Sequence, residues 1–123
     1  MKQPSPDDLR PFFDVDRAEV VDARAHQGEV ILIPLRPGCM PTQALSALAD
    51  NLAWFMEKVT GRGYAKAEEV YDTGFTVREP GHQAYGLKII VDGPNAVVSR
   101  VSILEDETVF RRYVNYLHTG LAI

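Results

Sequence analysis

Three runs in the second half of the chain alternate with period two, and they constrain the fold more than any other feature. Tyr71, Thr73, Phe75 and Val77 alternate with Asp72, Gly74, Thr76 and Arg78. Leu87, Ile89 and Val91 alternate with Lys88, Ile90 and Asp92, and Val97, Ser99, Val101 and Ile103 with Val98, Arg100 and Ser102. Successive strand side chains point to opposite faces, so each run can bury one face and expose the other. Glu79-Pro80-Gly81 and Gly93-Pro94-Asn95 separate the runs, which predicts an antiparallel meander. Matching inward residues sets Val91 opposite Val97, Leu87 opposite Val101, Phe75 opposite Leu87 and Thr73 opposite Ile89. The expected core face is Tyr71, Phe75, Val77, Tyr85, Leu87, Ile89, Val91, Val97, Val101 and Ile103.

The first half reads differently. From Pro41 to Thr60, Leu45, Leu48, Leu52, Phe55, Met56 and Val59 recur at helical spacing, forming one apolar stripe. Pro41 suits the first helical position, and Gly61 with Gly63 ends the segment. Ser5-Pro6-Asp7-Asp8 has the cap, the proline and the acids of a short helix start, which Pro11 stops. Ala18–Ala25 and Glu29–Leu35 read as a hairpin around His26-Gln27-Gly28. A final helix is expected from about Asp106 to His118. Val109, Phe110, Tyr113, Tyr116 and Leu117 form its buried face, and Gly120 stops it. The order ββαβββα, with a short N-terminal helix, is α+β. It implies an antiparallel sheet of about five strands with both long helices on one face.

A chain of 123 residues with 46% apolar and 24% charged side chains fits one ordered domain. That domain is expected to span residues 1–123, with residues 1–4 poorly ordered. No apolar run approaches a membrane span, and the N-terminal residues lack a signal-peptide core. The expectation is a small soluble cytoplasmic protein. A net charge of −4 disfavours a general polyanion binder, although a local basic patch stays open.

Trp54, the single tryptophan, stands roughly 140° from the centre of the helical stripe, beside Gln43, Asp50 and Lys58. The stripe accounts for the meander and the final helix. The N-terminal segment with Phe12 and Phe13, the first hairpin, or another molecule is left to cover the indole. Tryptophan is enriched at interface hot spots. The outer sheet face is the second candidate surface. The expected register sets Lys88 opposite Arg100, flanked by the small residues Gly74, Thr76, Ala84 and Gly86 and by apolar Ile90 and Val98. Such a strip suits a partner or an anionic ligand, or it is a solvated face whose cations meet Asp72 or Asp92.

Signals for catalysis are sparse. Cys39, the only cysteine, precedes the central helix, where dipole and amides favour a thiolate. His26, His82 or His118 could serve as its base, but none lies at a spacing diagnostic of a cysteine enzyme, and a small buried or half-buried thiol is the favoured reading. Cys39 and His82 are the weak catalytic candidates. The histidines lie at no ligand spacing, so neither metal nor cofactor is expected. Glu68, Glu69 and Asp72, with Lys66 nearby, read as a solvated acidic run. Gly61-Arg62-Gly63 follows a helix rather than a strand and lacks a phosphate-loop pattern. Arg111-Arg112 finds Asp106 and Glu107 one turn earlier.

These features lead to a non-enzymatic binding module, homodimeric or bound to another protein, using the Trp54 helix face or the Lys88/Arg100 sheet face. The rival is a small enzyme or ligand-binding protein with a pocket between the sheet and the central helix. That pocket would be lined by Tyr64, Tyr71 and Tyr85 and served by Cys39. Nucleic-acid binding through Lys88, Arg100 and Arg78 is disfavoured by an isoelectric point near 5.3.

Overall fold

A computed structural model describes residues 3–23, 28–69, 74–79, 86–101 and 108–122. Among these residues the chain is α+β, with one antiparallel six-stranded sheet and two α-helices. The strands are β1 (Glu19–Ala23), β2 (Gly28–Pro34), β3 (Ala65–Glu69), β4 (Gly74–Arg78), β5 (Gly86–Asp92) and β6 (Asn95–Arg100). The helices are α1 (Pro41–Thr60) and α2 (Val109–Thr119). Strand order is β1-β2-β6-β5-β4-β3, so β1 and β3 are the two edges.

Local chemistry explains the boundaries. Ser5 caps a short 3-10 helix over Pro6–Asp8, where its hydroxyl accepts from Asp7 N at 3.3 Å and Asp8 accepts from Ser5 N at 3.0 Å. This reciprocal pair satisfies two backbone donors that the helix start leaves over. A second 3-10 turn, Val15–Arg17, leads into β1. Pro41 opens α1, and Gly61 closes it in the left-handed conformation at φ 74°. Gly120 ends α2 in the same way at φ 79°. Only glycine takes that backbone without a Cβ penalty. The first helical residue of α2 is Val109, and the Asp106 cap lies outside the described residues.

The core lies on one side of the sheet. Ile31 and Ile33 of β2, Phe75 and Val77 of β4, Leu87 and Ile89 of β5, and Ala96 and Val98 of β6 form a single cluster with the apolar faces of α1 and α2. α1 lies over β3, β4 and β5, while α2 lies over β1 and β2. The helices therefore sit side by side in one layer. Where they meet, Phe55 packs edge-on against Tyr113 at 5.0 Å and tilted against Tyr116 at 5.2 Å.

Two findings correct the expected sheet. β3 is a sixth strand that the sequence hides. Ala-Lys-Ala-Glu-Glu has no β-branched or aromatic residue, and an edge strand needs few of them because one side pairs with nothing. The register of β5 with β6 also shifts by one. Val91 pairs with Ala96, Ile90 with Val97, Ile89 with Val98 and Leu87 with Arg100. Asp92 pairs with Asn95, so only Gly93 and Pro94 make the turn. Gly93 at φ 60° occupies the first central position, where a two-residue hairpin of the II′ kind needs glycine.

A one-residue slip exchanges the faces of an entire strand. Val98, expected outside, is fully buried in the core, and Val97, expected in the core, lies on the other face. Arg100 moves with Val98 to the helix side, where its guanidinium stands 5.0 Å from the Phe110 ring. The β4–β5 pairing shifts by two, with Phe75 against Ile89 and Val77 against Leu87, and so keeps its faces. Phe75, Val77, Leu87 and Ile89 are buried as expected, whereas Val91 and Val101 are 38% and 40% exposed. Tyr71, Tyr85 and Ile103 lie outside the described residues.

Candidate functional site

Both helices cover the same face, and among the described residues the opposite face of the sheet carries no helix. Register defines its rows. In one row Glu19, Leu32, Val97 and Ile90 stand side by side on β1, β2, β6 and β5. In a second, Ser99, Lys88, Thr76 and Ala67 cross β6, β5, β4 and β3. Val21 and Val30 pair on the same face. Val30 and Val97 are buried yet belong to no part of the core cluster, so this face has an apolar patch of its own. Val21, Leu32 and Ile90 around them are half-buried.

Glycine shapes one end of that surface. A Cβ on Gly74 would stand 2.4 Å from the Ile89 carbonyl oxygen and 3.1 Å from Ile90 Cγ2. The missing side chain lets Ile90 lie flat across β4. Lys88 is on this face as expected, opposite Ser99 and Thr76. Arg100 is not, so the expected pair of facing cations does not form. Of the four residues expected to make this surface, Lys88 and Ile90 remain, and Arg100 and Val98 line the helix side instead.

Trp54 is half-buried, and its ring lies 5.7 Å from Tyr116 of α2. The final helix thus covers part of the indole, which corrects the expectation that its whole packing role lay on the apolar stripe. The reason is lateral. α2 sits beside α1 rather than beneath it, so the buried arc of α1 extends to Ala44 and Asn51.

Asn51 is the residue that sequence reasoning missed. It is 4% exposed, and its amide oxygen accepts from the Tyr113 hydroxyl at 2.8 Å. Its amide nitrogen donates to Tyr116 Oη at 3.1 Å and to the Ser5 carbonyl at 3.4 Å. Burial raises the Tyr113 phenol well above its ordinary value, with the neighbouring Tyr116 adding to the shift. Burial also raises Tyr116, although the bond from Asn51 opposes it. This network ties the N-terminal turn, α1 and α2 together. Its signal in the sequence was an amide bordering an apolar stripe.

The candidates for chemistry are dispersed. The Cys39 thiol faces the carbonyls of Arg36 at 3.1 Å and Phe12 at 3.7 Å as a donor. His118 places Nε2 2.9 Å from the Ala18 carbonyl, so it ties α2 to the start of β1. His26 and His82 lie outside the described residues. Lys66 reaches Asp50 and Ser46 of α1, each at 2.8 Å. It also stands 5.9 Å from the Phe75 ring. An open groove runs beside α1 here, lined by Ser46, Asp50, Lys66 and Phe75, and Cys39 is not among its lining residues. Arg111 meets Glu29 at 3.5 Å across to β2, while Asp106 and Glu107 lie outside the described residues. Among the described residues no three His, Cys, Asp or Glu side chains gather at metal-binding distance, and no helix is long and apolar enough to cross a membrane.

Comparison with protein-family models, with curated proteins and with solved structures finds no match to this chain.

Proposed function

We propose that the chain is a non-enzymatic binding module that works as a homodimer and offers the helix-free face of its sheet to a protein partner. The observation that carries this reading is the half-buried aliphatic group of Leu32, Ile90 and Val21 around buried Val97, on a face that neither α1 nor α2 covers. Glu19, Lys88 and Asp92 lie around it, and an apolar centre with a charged rim is the usual anatomy of a protein interface. The Trp54 flank is the lesser candidate, because part of its ring already packs on Tyr116.

Size-exclusion chromatography with light scattering is expected to give twice the 13.7 kDa chain mass. A hydrophobic dye such as ANS should bind the wild type, and Ile90→Asp should reduce that binding while the circular dichroism is preserved. A monomer at micromolar concentration removes the dimeric part of the reading. Dye binding indifferent to Ile90→Asp removes the sheet face.

A further inference from the structure

We infer that two copies join through β3, edge to edge and antiparallel, in a register centred on Ala67. This inference rests on the homodimeric reading above and names its interface. β3 is bonded to β4 on one side and ends the sheet on the other. Ala65, Lys66 and Ala67 are exposed. An exposed edge is a ready template for another strand.

Symmetry limits the choices. Antiparallel pairing of identical strands is related by a two-fold axis perpendicular to the sheet. The helices of both copies then stay on one side, and residues pair only with partners of the same number parity. Centring on Lys66 sets lysine against lysine, and centring on Glu68 sets glutamate against glutamate. Both are disfavoured, since like charges directly opposite repel. Centring on Ala67 sets Lys66 of each copy opposite Glu68 of the other, twice per dimer, with the small Ala67 on the axis. Charge thus selects one register and opposes its neighbours.

The other edge has no such solution. Centring β1 on Val21 sets Val20 against Asp22 and Glu19 against Ala23, with no ion pair. At β3 the helix layer adds to the seam. Lys66 is held by Asp50 and Ser46, so that flank of α1 faces the edge and would meet its counterpart. The helix-free faces of the two copies would join in one continuous surface.

Cysteine crosslinking tests this directly. In a Cys39→Ser background, Ala67→Cys puts two thiols on the axis. Opposite Cα atoms in an antiparallel pair are about 4.5–5.5 Å apart, within disulfide reach. Mild oxidation should give a covalent dimer on a non-reducing gel, and Glu19→Cys on β1 should not. Lys66→Glu and Glu68→Lys should each shift the light-scattering mass to the monomer, and the double reversal should restore the dimer. Lys66→Glu also confronts Asp50, so Glu68→Lys and the crosslink decide if that variant does not fold. A wild-type dimer that neither crosslinks at position 67 nor responds to Glu68→Lys overturns the β3 interface and leaves the homodimer standing. A wild-type monomer overturns both.

Discussion

Asn51 shows how one side chain can join three parts of a fold. Both of its amide hydrogens and its carbonyl oxygen are engaged, by Ser5, Tyr116 and Tyr113. Removing one partner of a buried polar group costs more than the net worth of the bond, because the other partner stays desolvated. Tyr113→Phe keeps the ring packing against Phe55 and removes only the donor. It is expected to destabilise the protein by about 1–3 kcal/mol, read as a lower urea midpoint with an unchanged slope. A smaller loss would mean that the Asn51 carbonyl finds water. The two tyrosines were legible, since both fall on the apolar face of the last helix. Asn51 was not, because helical periodicity sorts residues by polarity and cannot see that a polar group will find partners 62 and 65 positions away.

Among the elements, α1 and the first hairpin were the most legible. Proline, glycine and a strong apolar period mark the ends of α1 independently of anything distant. β6 was the least legible, because Val97 and Val98 are both apolar and either phase buries a valine. A two-residue turn settled the phase, and with it the positions of Val98 and Arg100. β4 gives a prediction at this scale. Gly74→Ala drives a Cβ toward the Ile89 carbonyl, and should cost about 1–3 kcal/mol, as overpacking does. Gly63→Ala, where a Cβ meets nothing within 4 Å, should stay within about 0.5 kcal/mol. Comparing their thermal midpoints checks the close approach, and equal midpoints would refute it.

At the scale of the molecule, one helix layer covers one face of the sheet. The whole fold seals Tyr113, and its stability should therefore respond to alkali. Burial holds the Tyr113 proton to a higher pH in the folded state than in the unfolded chain. The resulting stabilisation is complete below the unfolded value of about 10 and is lost as pH rises beyond it. Tyrosinate absorbance should then show one late fraction rising together with the loss of far-ultraviolet circular dichroism. A Tyr113 that ionises while the dichroism is intact would contradict its burial. The proposed surface belongs to this scale too, since the helix-free face exists only because α1 and α2 both chose the other side.

Amino-acid order by itself determined the class, the two helices, the hairpin and the alternating character of β4, β5 and β6. Each of these depends on neighbours within a turn or a strand length, where backbone sterics and apolar period act locally. Tertiary structure decided the rest. It recruited β3, whose residues have no intrinsic strand preference, because β4 offered an edge to bond. It set the phase of β6 through the Gly93-Pro94 turn, moved Arg100 and Val98 to the helix side, and laid Tyr116 against Trp54. All four outcomes depend on contacts between distant segments, which no local period encodes. The surface expected around Lys88 and Arg100 became the Lys88 and Ile90 face for that reason.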